Sequence, residues 1–234
     1  MTQADAFRQG ILHPSALYLD AEMWAAGTLR LGSLPSVIEC PERGIHRFRI
    51  VLPRFVAPPN GWARVKETLI RRIPLNDISH PASETLEGFV VVSRNNEGWK
   101  EWIDAHWRHY VENHRDNPPK ALSFSDRVEV FGGPDLEVGN GVGLWRNGIL
   151  VAFSSVRFGE GSAETGEAGW MAAFGVEQAN ALSAVIAWTL LRAQQLQMTH
   201  VEVEADDTDR LLWERVLSLP TMLDETFTTW EYVV

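Results

Sequence analysis

The sequence predicts an α+β fold in which a mixed central sheet carries helices on both faces. Two observations lead to this prediction. The dipeptide Asn147-Gly148 separates two apolar runs and is the strongest short signal for a type I′ hairpin, so part of the sheet should be antiparallel. A strand, a helix and a second strand then follow within residues 168–205, and a unit this compact places its two strands parallel, with a right-handed crossover.

Length and charge limit the classes of function. The chain has 234 residues, of which 45% are hydrophobic and 22% are charged, so it has enough apolar content for a core. The formal net charge is −10, and the acidity lies in residues 99–234, which carry ten Lys/Arg against twenty-one Asp/Glu. Because a surface of this sign repels phosphate backbones, nucleic acid is not expected as a partner.

Three features predict a cytoplasmic protein without a membrane partner. Cys40 is the single cysteine, so an internal disulfide is excluded. The first residues lack the basic start and apolar run of a secretory signal. The longest strongly apolar stretch, residues 182–191, is far shorter than the roughly 20 residues that cross a bilayer.

The first part of the chain contains many prolines and is expected to be largely irregular. Residues 47–52 alternate charged and apolar side chains and predict a strand, whereas residues 62–73 predict a short helix with its apolar positions on one face. We therefore interpret residues 1–87 as an N-terminal extension of strands and a short helix, which packs on the sheet or forms a homodimer contact. A remnant of a duplicated domain is the alternative.

From residue 88 onward the elements become regular. The patterns predict, in order, strand 89–93, helix 99–114, short helix 125–131, strands 143–146, 149–158 and 168–176, helix 180–197, strand 200–205, helix 209–218 and strand 227–233. Residues 88–234 are therefore expected to form the main domain.

This order of elements resembles the GNAT superfamily of acyl-CoA-dependent N-acyltransferases over residues 88–234. The resemblance rests on the Asn147-Gly148 hairpin, on the strand that runs directly into helix 180–197, and on the string Val201-Glu-Val-Glu-Ala-Asp206 followed by Leu211-Leu-Trp-Glu-Arg215. It implies an N-acetyltransferase that moves an acyl group from acetyl-CoA, or from another acyl-CoA, to a primary amine of a small molecule or a protein.

The corner where strand 168–176 meets helix 180–197 is the predicted cofactor site. The first amides of a helix lack intrahelical acceptors and carry partial positive charge, so they can bind an anion such as a diphosphate. The resemblance assigns cofactor binding to Phe174, Val176, Gln178, Ala179, Asn180, Ala181, Leu182 and Ser183. Relatives commonly carry Arg or Gln followed by alternating glycines here, whereas this corner has no glycine after Gly175 and carries the acidic Glu177.

Strand 200–205 supplies the candidate base. Alternation puts His200, Glu202, Glu204 and Asp206 on one face, and a carboxylate that the protein desolvates gains a raised pKa and can accept a proton near neutral pH. We predict Glu204 and Asp206 as catalytic residues, although this face could instead be simply solvated. Trp170, Glu167 and Tyr110 are predicted to bind substrate.

Two further features bear on the chemistry. His106, His109 and His114 share one helix, but no nearby side chain completes a zinc spacing, so no metal is predicted. Trp213 stands where many relatives carry a Tyr that protonates the leaving thiolate, and indole cannot act as that acid. The alternative function is therefore a catalytically inactive binding or assembly module with the same fold.

Overall fold

We analysed a computed structural model of the chain. The structure describes residues 7–9, 12–19, 21–22, 45–58, 60–76, 89–94, 97–132, 140–158 and 164–233. Cys40 lies outside the described residues. Within them, no helix is both long and apolar enough to cross a bilayer.

The described elements follow the predicted order in the second part of the chain. The strands are β1 (Phe7–Gln9), β2 (Ala16–Leu19), β3 (Arg47–Pro53), β4 (Ala63–Pro74), β5 (Phe89–Val92), β6 (Gly141–Arg146), β7 (Ile149–Phe158), β8 (Thr165–Ala168), β9 (Ala172–Ala173), β10 (His200–Asp206) and β11 (Leu223–Val233). The helices are α1 (Trp99–Asn113), the short α2 (Phe124–Arg127) continued by a π-helical turn (Val128–Gly132), α3 (Gln178–Gln195) and α4 (Arg210–Leu217).

All eleven strands of the described residues belong to one mixed sheet. Its order is β1-β2-β3-β11-β4-β10-β8-β7-β6-β5, and β9 pairs with β7 beside this path. The β2–β3 and β8–β10 pairs are parallel, and the other pairs are antiparallel. The predicted α+β class with a mixed sheet is therefore confirmed.

The hairpin between β6 and β7 has the predicted turn. Asn147 has a φ of 51° and Gly148 a φ of 76°, the two positive angles of a type I′ turn. Consecutive residues of β7 then point to opposite faces of the sheet. Ala152 packs in the cluster that contains α3, and Phe153 packs in the cluster that contains α1. Helices therefore cover both faces.

The strand predicted over residues 168–176 is mostly absent, because only Ala168, the last residue of β8, and Ala172–Ala173, which form β9, are in strand conformation. The parallel register between β8 and β10 ends at the pair Ala168 and Val203, and beyond it β9 pairs only with β7. Gly169 lies at the break, where a Cβ would stand only 2.0 Å from Ser155 Oγ, so any other residue there would require the Ser155 side chain to move. The sheet consequently opens between β9 and the end of β10.

The prediction of a helix over residues 62–73 is wrong, because this segment forms β4. Leu69, Arg71 and Ile73 are buried on the same face at the two-residue period of a strand. The charge of Arg71 obscured this period. In the fold Arg71 forms a bidentate ion pair with Asp224 and also donates to the carbonyls that end α4, which makes its burial tolerable.

The described strands of residues 1–87 are integrated in the sheet. β4 lies between β10 and β11 and pairs antiparallel with both of them. β3 extends the sheet beyond β11, and its Phe48 packs with Leu17 and Trp62 in a separate core cluster. The division into an N-terminal extension, residues 1–87, and a main domain, residues 88–234, stays a prediction.

Candidate functional site

A cavity occupies the opening between β9 and the end of β10. It has a volume of about 160 Å³, and we call it the central cavity. Its charged side chains are four carboxylates and one arginine, so the field inside it favours a cation. It is lined by His109, Asn113, Arg157, Glu167, Ala168, Gly169, Trp170, Met171, Glu204, Asp206, Asp209 and Leu212.

A second cavity lies on the sheet face across β10. This sheet-face cavity has a volume of about 350 Å³ and lies over strands β2, β3, β11, β4 and β10, beside the end of α1. Glu204 lines both cavities and therefore connects them. The sheet-face cavity is lined by Tyr18, Arg49, Val51, Lys66, Thr68, Ile70, His114, Glu204, Phe227 and Thr229.

Glu204 is the unpaired carboxylate at this junction. Among the described residues, no donor forms a hydrogen bond or ion pair with it. Desolvation by the surrounding protein raises the pKa of the Glu204 carboxyl, the charges of Asp206 and Glu167 add to the increase, and Lys66 opposes it. The side chain remains accessible to solvent, so a solute could reach it.

Asp206 lies in the same cavity but is held by the protein. One of its carboxylate oxygens pairs with Lys66 Nζ, and the other accepts a hydrogen bond of 2.5 Å from Thr68 Oγ1. Both partners belong to β4. Their contacts fix the orientation of Asp206, whereas Glu204, which borders both cavities, keeps its carboxylate unpaired among the described residues.

His109 is a functional candidate that the sequence did not single out as a catalytic group. Its side chain is buried, and its Nε2 lies 2.8 Å from Asn113 Nδ2, one helical turn further along α1. Burial lowers the pKa of the imidazole, while Asp209 and Glu112 act in the opposite direction. The signal in the sequence is the spacing of four residues between His109 and Asn113, which places both on one face of a helix.

The three predicted substrate-binding residues occupy different depths. Trp170 and Glu167 line the central cavity. Tyr110 lies behind Trp170, with 5.0 Å between the ring centroids, and its hydroxyl is 2.7 Å from His13 Nε2. Tyr110 is absent from the lining of the described cavities, so its contact with Trp170 gives it a supporting position.

The predicted cofactor corner has a free helix start. Gly175, with a φ of 84°, turns the chain into α3, and Glu177 occupies the N-cap without a side-chain hydrogen bond. The amides of Asn180 and Ala181 both donate to the Glu177 carbonyl. Among the described residues, the amides of Gln178 and Ala179 meet no acceptor, as expected at an uncapped helix N-terminus.

Two hollows flank this corner, each of about 330 Å³. The first, the corner cavity, is lined by Leu144, Arg146, Val151, Phe174, Gly175, Val176, Glu177, Asn180, Ala181 and Ala184. The second, the helix-start groove, lies against α1 and the start of α4 and is lined by His109, Glu112, Asn113, Ala172, Ala173, Phe174, Gly175, Gln178, Leu182, Thr208, Asp209, Arg210 and Leu211. The groove shares His109, Asn113 and Asp209 with the central cavity, so a ligand could extend from one to the other.

Most of the predicted cofactor residues border these hollows. Phe174 lines both, Val176, Asn180 and Ala181 line the corner cavity, and Gln178 and Leu182 line the groove. Ala179 and Ser183 line neither, and Ser183 Oγ instead donates to the Ala179 carbonyl at 2.9 Å.

Two other sequence features have structural positions. Trp213 packs against the core cluster of α3, so it contributes no polar group to the described cavities. Within the described part of the chain, no three His, Cys, Asp or Glu side chains are grouped as a metal site would require.

Comparison with proteins of known structure identifies the fold. No protein-family model and no curated protein matches the chain. A GCN5-related N-acetyltransferase from Sphaerobacter thermophilus superposes with a TM-score of 0.61 at 11% identity, covering 97% of this chain and 75% of that one. A GNAT-family acetyltransferase from Colwellia psychrerythraea gives 0.51 at 11% identity, covering 93% and 78%.

Proteins without a known function share the fold as well. A functionally unknown conserved protein from Staphylococcus epidermidis gives a TM-score of 0.53 at 11% identity, covering 99% of this chain and 88% of that one. The resemblance predicted from the sequence is therefore confirmed as a divergent GNAT fold. Identities this low establish the fold and leave the activity to be argued from the site.

Proposed function

We propose that this GNAT-fold protein transfers an acyl group from acetyl-CoA, or from another acyl-CoA, to a primary amine. The observation that carries the proposal is the position of Glu204, an unpaired carboxylate between the central cavity and the sheet-face cavity. A transferase of this type must bring two substrates together from different directions, and the two cavities offer one approach each.

The start of α3 would be the donor side of the site, where main-chain amides could bind the diphosphate of acyl-CoA. The amide of Gln178, which lines the helix-start groove, would hold the anion, and Phe174 and Leu182 provide apolar contact along the groove toward the central cavity. Arg146 adds a cation to the lining of the corner cavity, whereas Glu177 opposes an anion there. When bound, acyl-CoA would supply the thioester whose carbonyl carbon the amine attacks.

Proton transfer can be assigned to two residues of the chain. An amine is protonated at neutral pH and becomes nucleophilic only after it loses a proton, which the Glu204 carboxylate can accept. His109 lies where the groove meets the central cavity and can exchange a proton on the donor side. Because burial lowers its pKa, the His109 imidazole is uncharged near neutral pH, so it would have to accept the proton released by the amine before it could protonate the leaving thiolate in place of Trp213.

A binding or assembly module without catalysis is the second candidate. The acidic Glu177 at the corner and the apolar environment of Trp213 favour it, because both weaken steps that acyl transfer needs. On this hypothesis the raised pKa of Glu204 would be a structural consequence of its surroundings. The predicted cytoplasmic location and homodimer do not distinguish the two functions.

Calorimetric titration with acetyl-CoA, followed by mass analysis of an amine panel, tests the proposal. We expect binding, and a ligand at a hundred times its Kd should stabilise the fold by about 2.7 kcal/mol. Glu204→Gln should keep the Kd for acetyl-CoA and reduce turnover by roughly 10²-fold or more. Absence of binding at millimolar acetyl-CoA would support the non-catalytic module instead.

A further inference from the structure

We propose that the acceptor is a monoamine whose body carries no charge and combines apolar surface with a hydroxyl or carbonyl group. This inference rests on the proposed function and adds the class of the second substrate. It is argued from the sheet-face cavity, where each charged side chain except Glu204 already has an oppositely charged partner or is neutral.

The floor of the cavity is built from one face of neighbouring strands. Lys66, Thr68 and Ile70 alternate along β4, and Thr68 pairs across the sheet with Asp206 of β10 and Ile70 with Glu204. On the other side of β4, β11 places Thr229 opposite Lys66. Glu204 therefore lies opposite Ile70, where the floor meets the central cavity, and Lys66 lies four residues before Ile70 on β4.

The far end of the floor is occupied by paired charges. Arg49 is only 3% exposed, donates from Nε to Glu231 at 2.7 Å and also pairs with Asp116. Arg47 pairs with the same Glu231 at 3.2 Å. These two cations and two anions neutralise one another, so a carboxylate on the acceptor would find no cation that lacks a partner there.

The middle of the floor also offers no unpaired charge. Lys66 pairs with Asp206, and burial lowers the pKa of His114, which leaves its imidazole uncharged near neutral pH. Glu167 and Asp209 line the central cavity, on the donor side of Glu204, and do not line the sheet-face cavity. A second ammonium on the acceptor would therefore lose hydration without gaining a counter-ion.

The remaining lining suits an uncharged body. Val51, Ile70 and Phe227 present apolar surface. The hydroxyls of Tyr18 and Thr229 form no hydrogen bond with the described residues, so they can bind a neutral polar group of the acceptor. A cavity of about 350 Å³ falls in the size range of small-molecule sites.

Three amines of similar shape separate the possibilities. Tyramine has one amine and a neutral hydroxyl, 4-(2-aminoethyl)benzoate replaces the hydroxyl with a carboxylate, and 4-(2-aminoethyl)benzylamine replaces it with an aminomethyl group that carries a second ammonium. We expect kcat/KM with acetyl-CoA to be several-fold higher for tyramine than for either charged analogue, because each added charge would lose part of its hydration against the lining without gaining a partner. Equal or higher kcat/KM for 4-(2-aminoethyl)benzoate or the diamine would overturn the inference.

A variant pair tests whether this cavity sets the preference. Val51→Asp places a new carboxylate on the lining at a position that is 39% exposed, and we expect it to raise the diamine-to-tyramine ratio of kcat/KM by roughly fivefold. Val90→Asp is the matched control, since Val90 is 40% exposed on β5 and lines none of the described cavities. An unchanged ratio in Val51→Asp would contradict the assignment.

The two proposals fail in different ways. If acetyl-CoA does not bind, the proposed function fails and this inference falls with it. If acetyl-CoA binds and amines are acetylated, but charged bodies are preferred, the acyltransferase function stands and the assignment of the acceptor class is wrong.

Discussion

Glu204 and Asp206 show how two carboxylates on one strand acquire different roles. They are two residues apart on β10 and face the same side, yet Lys66 and Thr68 hold Asp206 while Glu204 has no partner among the described residues. Alternation in the sequence was sufficient to place both on one face. The partners could not be predicted, because Thr68 and Lys66 are 138 and 140 residues away in sequence and belong to a segment that resembled a helix.

Replacing Glu204 by Gln should stabilise the protein at neutral and alkaline pH. A raised pKa means that the folded state binds this proton more tightly than the unfolded state does, so native stability falls as pH rises from the ordinary carboxyl pKa through the raised one. The neutral amide avoids that loss. We expect an increase in Tm of about 2 °C at pH 8 that disappears below pH about 4, measured by calorimetry.

Glu202→Gln is the matched control for this prediction. Glu202 lies two residues before Glu204 on the same face and pairs with Arg72. Because the substitution removes a partly exposed ion pair, it should lower stability by up to about 1 kcal/mol at neutral pH. A decrease in Tm for Glu204→Gln similar to that of Glu202→Gln would show that Glu204 is paired in solution.

At the scale of elements, local periodicity predicted most of the second part of the chain. Helices α1, α3 and α4 begin and end within two residues of the predicted bounds, because their apolar faces repeat at the helical period. β4 was misassigned because its apolar residues also fit a helix and its buried Arg71 hides the two-residue period. The break between β8 and β9 lies where the pairing with β10 ends and Gly169 approaches Ser155, and no local pattern reveals such contacts between distant residues.

The start of α3 should bind acetyl-CoA more tightly when its acidic N-cap is reversed in charge. Glu177 is exposed and makes no capping hydrogen bond, so Glu177→Lys removes repulsion of an anion and loses only the favourable interaction of Glu177 with the helix dipole. We expect Kd for acetyl-CoA to fall by about fivefold at low salt, measured by calorimetric titration. The gain should shrink as ionic strength rises.

Glu129→Lys provides the same change in net charge at a distance from this corner. Glu129 is exposed in the π-helical turn after α2 and lines none of the described cavities. Its substitution should leave Kd unchanged within about twofold, because exposed charges beyond a Debye length are screened. If both variants tighten binding equally, the effect is one of overall charge, and α3 does not hold the anion.

At the scale of the whole molecule, the sheet joins the two parts of the chain. β4 supplies a seven-residue register to β10 and an even longer one to β11, and Arg71 connects it to the end of α4. Without β4, the two strands that flank it would each expose an unpaired edge. The sequence predicted residues 1–87 as an extension outside the main domain. Pairing between strands so far apart in sequence leaves no local pattern, so the position of β4 inside the sheet could not be predicted.

Expression of residues 88–234 alone should therefore fail to give a folded protein. We expect an aggregated or loosely packed product without a cooperative thermal transition, monitored by circular dichroism and limited proteolysis. Addition of residues 1–87 as a separate chain should restore protection of β10 and β11 against proteases. A cooperative transition for 88–234 alone would establish it as an autonomous domain.

The position of β4 also affects how the protein acquires its structure on the ribosome. β4 emerges early, but both of its neighbours belong to residues 200–233, so it cannot pair until those residues have been translated, more than 120 residues later. During that interval its hydrogen-bonding edges are open to other nascent chains, and closure over so large a separation is intrinsically slow. Chaperones that shield strands during synthesis should therefore increase the yield of native protein.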